Sequence, residues 1–296
     1  MRTSGECRVA SGAWQRLRSS RLAMACLIIV ALYACLALYG EGVYRWCEWK
    51  DITPPYQHQD LSQQFQPPGV EHWMGTDNLG RDVLQRLIQG ARVAFHVGIV
   101  TSMIAIPIGL ILGCLAGYFG GRLDDFIVWL YSTFASIPGL LFILAIAMVV
   151  GKGLTGIFLG IGLTTWVGLC RLIRAEVMKH KERAYVLAAR SLGYSHARIL
   201  FRHILPNVMH IVIVTFTLRF PAAIGTEVFM SFLGIGVQGE PSWGIMINNA
   251  RTRLWQGVWW EMTFVTLAVF LLVLSFNLLG DALRDALDPR LRTEKQ

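Results

Sequence analysis

Charged side chains are scarce in this chain: Asp, Glu, Lys and Arg make up 16% of its 296 residues, where soluble domains carry roughly a quarter. That shortage excludes a protein kept in water by surface charge, and its complement is an AVILMFWYC content of 54%. The six cysteines offer no chemistry either, since Cys26, Cys35, Cys114 and Cys170 sit inside apolar runs and Cys7 and Cys47 are isolated. Neither a disulfide framework nor a paired zinc site follows from such a distribution. A phosphate-cradling G-x4-G-K-[ST] loop is missing, because Gly151-Lys152-Gly153 lacks the upstream glycine and the hydroxyl residue. Also missing are H-E-x-x-H, paired aspartates within spans and a nucleophile with its base, which argues against an intramembrane protease. No catalytic residue, cofactor or metal site is assigned.

What the chain does contain is long apolar blocks. A helix rises about 1.5 Å per residue, so roughly 20 apolar residues cross the hydrocarbon layer. Six stretches are of this kind: 22–40, 93–117, 126–150, 154–170, 208–237 and 258–280, the fourth short and the fifth too long for a simple crossing. The expected fold class is an all-α integral membrane protein with six transmembrane helices. If the N-terminus is cytoplasmic, 18 of the 27 Lys and Arg residues fall on the cytoplasmic side and 8 outside, with Arg219 inside the fifth stretch. Basic flanks stay inside, so both termini and segment 171–202 are expected in the cytoplasm. This sidedness accounts for most of the net charge of +8, and nucleic acid is not an expected partner. The first span reads as an uncleaved anchor, because no small-x-small cleavage site clearly follows it.

The organisation expected is a first unit at 1–92 (cytoplasmic N-terminus, anchor span, external segment), a five-helix body at 93–290 and a cytoplasmic tail at 291–296. Proline and polar clusters make the external segment an irregular lobe or flexible loop, and its "GTDNLGRD" (75–82) admits a weak calcium loop. In the second span, Gly109, Gly113 and Gly117 recur every four residues, which lets another helix approach closely. Pro107 and Pro138 create places to bend in spans two and three. Asp124 and Asp125, being adjacent, suit a helix N-terminus better than a shared site. Trp255, Trp259 and Trp260 read as anchors at the outer interface.

Arg219, Pro221 and Glu227 lie in the fifth stretch. A charge at the bilayer centre costs about 2.5–3.5 kcal/mol on insertion scales, so both charges should face protein or water. A helix broken at Pro221 is expected, its second half "GTEVFMSFLGIGVQ" (225–238) lining a pore or outer gate; the alternative is buried structural pairing. The pore is assigned to spans two, three and five, with Pro138, Glu227, Ser231 and Phe232, and Glu227 is the candidate to meet a cargo amine or steady the gate.

Between the fourth and fifth spans lies "YVLAARSLGYSHARILFRHILPN" (185–207), a polar insert within 171–206 that reads as two short helices hinged at Gly193. Ala188 and Ala189 offer a surface of close approach. Tyr185, Arg190, Tyr194, Arg198 and His203 supply anchors and donors of the kind found at interfaces. An amphipathic helix lying on lipid headgroups is the competing reading.

This stretch resembles the EAA loop of ABC importer permeases, E-A-A-x3-G followed about a dozen residues later by L-P. Ala188, Ala189, Gly193, Leu205 and Pro206 fit, and Leu187 stands where the family has glutamate. The oligopeptide and dipeptide branch is further matched by "HWMGTDNLGRDVLQRLIQGAR", "GYFGGRLDD", "SFLGIGVQGEPSWG" and "GDALRDALDPR", in order along the chain. The resemblance implies a type I importer permease in a bacterial inner membrane, forming half of a translocation pore. Its implied partners are a second homologous permease, two cytoplasmic ABC ATPases docked on the insert, an external solute-binding protein, a peptide substrate and membrane lipid. Nickel chelates, haem or another small solute are alternative cargoes within the same family. A passive channel is the rival from another class, but it would not need the insert.

Overall fold

A computed structural model describes residue 18, residues 20–237 and residues 239–287; Cys7, the basic leader and the tail 291–296 lie outside the described residues. Where no water can pair backbone groups, the chain must satisfy them internally, and helix is the way an apolar run does so. Among the described residues, five helical stretches are long and apolar enough to cross a membrane, or six if one sharply bent pair is counted as a span.

The first helix, α1 (Arg21–Lys50), starts at Ser20, whose hydroxyl accepts from the Ala23 amide, and stops at Asp51 in a left-handed conformation (φ 53°). It runs on past the expected end at Gly40, because Glu41 and Arg45 pair along it and Glu41 also meets Arg92. Helix α2 (Val83–Phe119) is capped by the Asp82 carboxylate on the Gln85 amide. It starts well before the expected 93 and continues unbroken through Pro107. The helix is not split there as span three is, although the proline removes one backbone hydrogen bond.

Span three is not one rod. Helices α3 (Gly121–Ser136) and α4 (Gly139–Val150) meet at 90°. Pro138 forces Ile137 out of helical geometry, to φ −89° and ψ 131°. The fourth span is longer than expected: α5 (Leu154–Thr164) and α6 (Trp166–Lys181) form one apolar rod, Leu154–Lys181, interrupted only at Thr165. Its polar extension beyond residue 170 is held by side-chain pairs, Arg174 with Asp124 at 2.5 Å and Lys179 with Glu176 at 2.9 Å.

After α7 (Ala184–Ser191) and the turn at Gly193 comes α8 (His196–Ile199), which passes through a wide π turn (Leu200–Ile204) into α9 (Leu205–Phe232). The second short helix of the insert is therefore the start of the fifth span, His196–Phe232. Pro206 sits in the first turn, where a missing N–H costs little. The expected break at Pro221 is also absent. Phe220, stacked on Phe276 at 4.5 Å, and buried Ile224 clamp that turn in the core. Helices α10 (Trp243–Arg251) and α11 (Trp260–Leu287) complete the chain.

The glycine face of α2 sets how the body packs. A Cβ on Gly109 would lie 2.8 Å from the Trp166 carbonyl, on Gly113 2.8 Å from the Cys170 carbonyl, and on Gly117 2.7 Å from the Arg174 carbonyl. All three therefore give α6 room to lie against the α2 backbone along two full turns. In lipid such packing stabilises by dispersion and close fit rather than by expulsion of water. Replacing Gly113 by valine is expected to destabilise the fold by about 1–3 kcal/mol through overpacking; a detergent thermal-unfolding midpoint equal to wild type would contradict this.

Candidate functional site

The segment between α1 and α2 is folded, and the "HWMGTDNLGRD" motif is what folds it. Asp77, 1% exposed, accepts from the Leu79 and Arg81 amides and from the Arg81 guanidinium. His72 bridges Asp82 at 2.8 Å and Gln63 at 2.9 Å. Both aspartates of the admitted calcium loop are thus occupied by protein donors, and no group of three metal-ligating side chains occurs among the described residues. Burial pushes the phenol of Tyr56, in the same lobe, up to about 12. Trp260 donates to the Thr76 carbonyl at 3.0 Å and is buried, so it fastens the lobe rather than anchoring an interface; Trp255 and Trp259 remain exposed.

A second cluster ties three elements together. Arg92 of α2 bonds Glu41 of α1 and Glu240 of the α9–α10 turn, each at 2.7 Å, and its guanidinium lies 3.8 Å from the Tyr44 ring. That turn is closed from the inside. Ser231 donates to Glu227 at 2.7 Å and accepts from the Val237 amide, while Ser242 also bonds Glu227. Trp243 donates to the Leu87 carbonyl across the α2 interface. Glu227 and Ser231, each 1% exposed, are sealed inside the chain in this conformation and line no open surface. Phe232 is half-buried under the Arg251 guanidinium, and Pro138 is exposed at its elbow. Arg219 does not pair with Glu227; it donates to the Thr165 carbonyl and hydroxyl at the α5–α6 break.

The hinge of the insert falls at Gly193, with φ 76° and nothing within 4 Å of where a Cβ would sit. Behind it, Val186, Ala189, Ile199 and Ile204 are buried against α2 and α6, and the Tyr118 hydroxyl meets His196 at 2.9 Å. In front, Ala188, Arg190 and Pro206 are exposed. Tyr185 holds His180 at 2.6 Å, and burial raises its phenol above the ordinary tyrosine range. Tyr194 stacks on His203, and the Arg198 guanidinium lies over the Tyr194 ring, 5.3 Å from its centre. Two apolar side chains on this surface were not picked out by the sequence reading: Leu192 is 73% exposed and Phe201 66%. Their signal was available, since a polar insert has no reason to present large apolar groups to water unless something covers them.

A cavity of about 310 Å³ opens midway along α9, lined by Thr101, Thr165, Thr215, Leu218, Arg219 and Thr226 among others. These residues come from three separate spans, and the threonines were not singled out because nothing in their spacing joins them.

Taken together, a multi-pass helical body, a hinged polar helix pair between two spans and a cavity halfway through define a membrane permease. The chain belongs to the family described as binding-protein-dependent transport system inner membrane component, whose model matches residues 105–293. A second model, the N-terminal TM domain of oligopeptide transport permease C, matches residues 10–68. It is 39% identical over 283 residues to a dipeptide transport system permease protein (DppC) of Bacillus subtilis strain 168, covering 95% of this chain and 85% of that one. An oligopeptide transport system permease protein (OppC) of the same strain is 37% identical, covering 94% and 88%. A glutathione transport system permease protein (GsiD) of Pectobacterium atrosepticum is 34% identical, covering 95% and 91%. Among solved structures, the inward-facing MetNI methionine ABC transporter shares the fold at a TM-score of 0.55 and 17% identity, covering 69% of this chain and 97% of that one.

Ser231→Ala would leave the Val237 amide and one Glu227 oxygen short of a partner, a loss expected to cost about 1–3 kcal/mol. The measurement is thermal unfolding of the purified chain in detergent, and an unchanged midpoint would mean that the α9–α10 turn does not depend on this network.

Proposed function

We propose that this chain is one of two non-identical permeases of an ATP-driven peptide importer in a bacterial inner membrane, forming half of its pore and performing no catalysis itself. The observation that carries this reading is the hinged insert, buried on one side against α2 and α6 and presenting Leu192, Phe201, Tyr185, Tyr194, Arg190 and Arg198 on the other. Such a surface suits two cytoplasmic ATPases, one on each permease. Their closure would move α7 and the π turn together, and the continuity of α8 with α9 carries that movement into the fifth span. Names of relatives point to dipeptides, oligopeptides and glutathione, all of them peptides, which favours a peptide over a nickel chelate or haem.

The Lys and Arg bias supports cytoplasmic termini. The outer lobe and the α9–α10 turn then face the external solute-binding protein, and 1–92 acts as an anchor unit clamped to the body 93–290 through Arg92 and Trp260. Glu227 and Ser231 serve as the inner brace of the outer turn rather than as contacts for a cargo amine.

Phe201→Asp and Leu192→Asp change exposed side chains and leave the helices intact. Both are expected to reduce co-purification of the ATPase subunits about tenfold or more, as truncating a buried interface anchor does. If tagged permease carrying both changes retains its ATPases and ATP-driven uptake, the insert is not their docking site.

A further inference from the structure

Arg219 stands halfway along α9, in the wall of the cavity, and no carboxylate lies within ion-pair distance of it among the described residues. Two of its N–H groups rest on Thr165, at the one place where the fourth span is interrupted. Its Nε, shielded from solvent, has no hydrogen-bond partner. A permanent cation placed at that depth without a counter-ion has donor capacity that the chain itself does not use.

The hydroxyls around it have the opposite character. Thr101 donates to the Val97 carbonyl, Thr165 to Ile161 and Thr226 to Ala222. With its hydrogen committed to its own helix, each oxygen can only accept from the cavity. The space thus offers one fork of cationic donors and several neutral acceptors around it. That set complements a molecule bearing a carboxylate at one end and N–H groups along its length. On the α9 face beside it, Leu218, Ala222, Gly225 and Phe229 are exposed, and Leu218 and Ala222 line the cavity.

We infer that this cavity is a cargo subsite in which Arg219 binds the free C-terminal carboxylate of a peptide in transit. The guanidinium leaves Thr165 for the carboxylate, and the threonine oxygens receive the peptide's N–H groups. This rests on the peptide reading above. Because the guanidinium fork matches a carboxylate in two parallel hydrogen bonds, selectivity at this step is for the acid over the amide.

The test uses the assembled importer with its binding protein at saturation in proteoliposomes, with Ala-Ala and its C-terminal amide as probes. Wild type is expected to import the acid faster than the amide. Arg219→Gln is expected to lower Ala-Ala import roughly tenfold or more while leaving amide import near wild type, and Arg219→Lys to keep part of the preference. Ala222→Glu, which leaves Arg219 in place but puts a carboxylate one turn away, is expected to suppress acid import selectively as well. The subsite is overturned if Arg219→Gln keeps the wild-type ratio of acid to amide. It is equally overturned if the variants lower both cargoes alike or fail to assemble alike, which is what a brace for Thr165 or for the second permease would give. A wild-type complex that hydrolyses ATP but imports neither probe removes the peptide reading itself, and the carboxylate site with it.

Discussion

Close approach between α2 and α6 is the contact on which the other contacts rest. Three glycines on one face of α2 let the backbone of α6 lie where side chains would otherwise hold it off. Because α2 also touches α1, α5 and α9, its position fixes where those helices stand. Once α6 is set against α2, Asp124 of α3 meets Arg174 of α6 through two hydrogen bonds. The same contact places Thr165, the break in the fourth span, opposite Arg219 of the fifth. The hinge with Gly193 then hangs from the end of α6, on one side, and from the start of α9 on the other.

Charge is used sparingly, and its buried ion pairs gather at the end of the body that carries the lobe between α1 and α2. Asp77 gathers Arg81 and Arg86, and Arg253 reaches Glu261 beside them. Arg92 joins α1, α2 and the α9–α10 turn through two carboxylates. Buried ion pairs of this kind contribute little net stability but are costly to break singly. Their value here is register: they allow a lobe rich in proline and glutamine to sit in one place on helices held together by nonspecific apolar packing. The end that bears the insert is arranged differently, with apolar Leu192 and Phe201 open to the surroundings. One end of the body is thus braced by ion pairs and the other carries a hinged surface that nothing in the chain covers.

Much of this was readable from residues that act locally. The glycine repeat of α2, the bend at Pro138 and the left-handed turn at Gly193 each follow from backbone sterics within a few residues. Pro107 and Pro221 carry the same local preference and yet interrupt neither α2 nor α9. Phe220 and its stacked partner Phe276 belong to different helices, and a local rule has no access to them. The surroundings of Glu227 were out of reach for the same reason: Ser231 and Ser242 close around it only once the α9–α10 turn folds back. Trp260 looked like a neighbour of Trp255 and Trp259 until the lobe carbonyl of Thr76 reached it.

By itself the sequence determined that the chain lives in a bilayer, which of its ends carry positive charge and where its hinge falls, because these depend on hydropathy, charge count and glycine conformations that every residue expresses on its own. Only the tertiary structure decided which buried charges brace the fold and which one, Arg219, is left facing a cavity. A side chain's partner is set by helices packed from distant parts of the chain, and no spacing within a single span records that meeting.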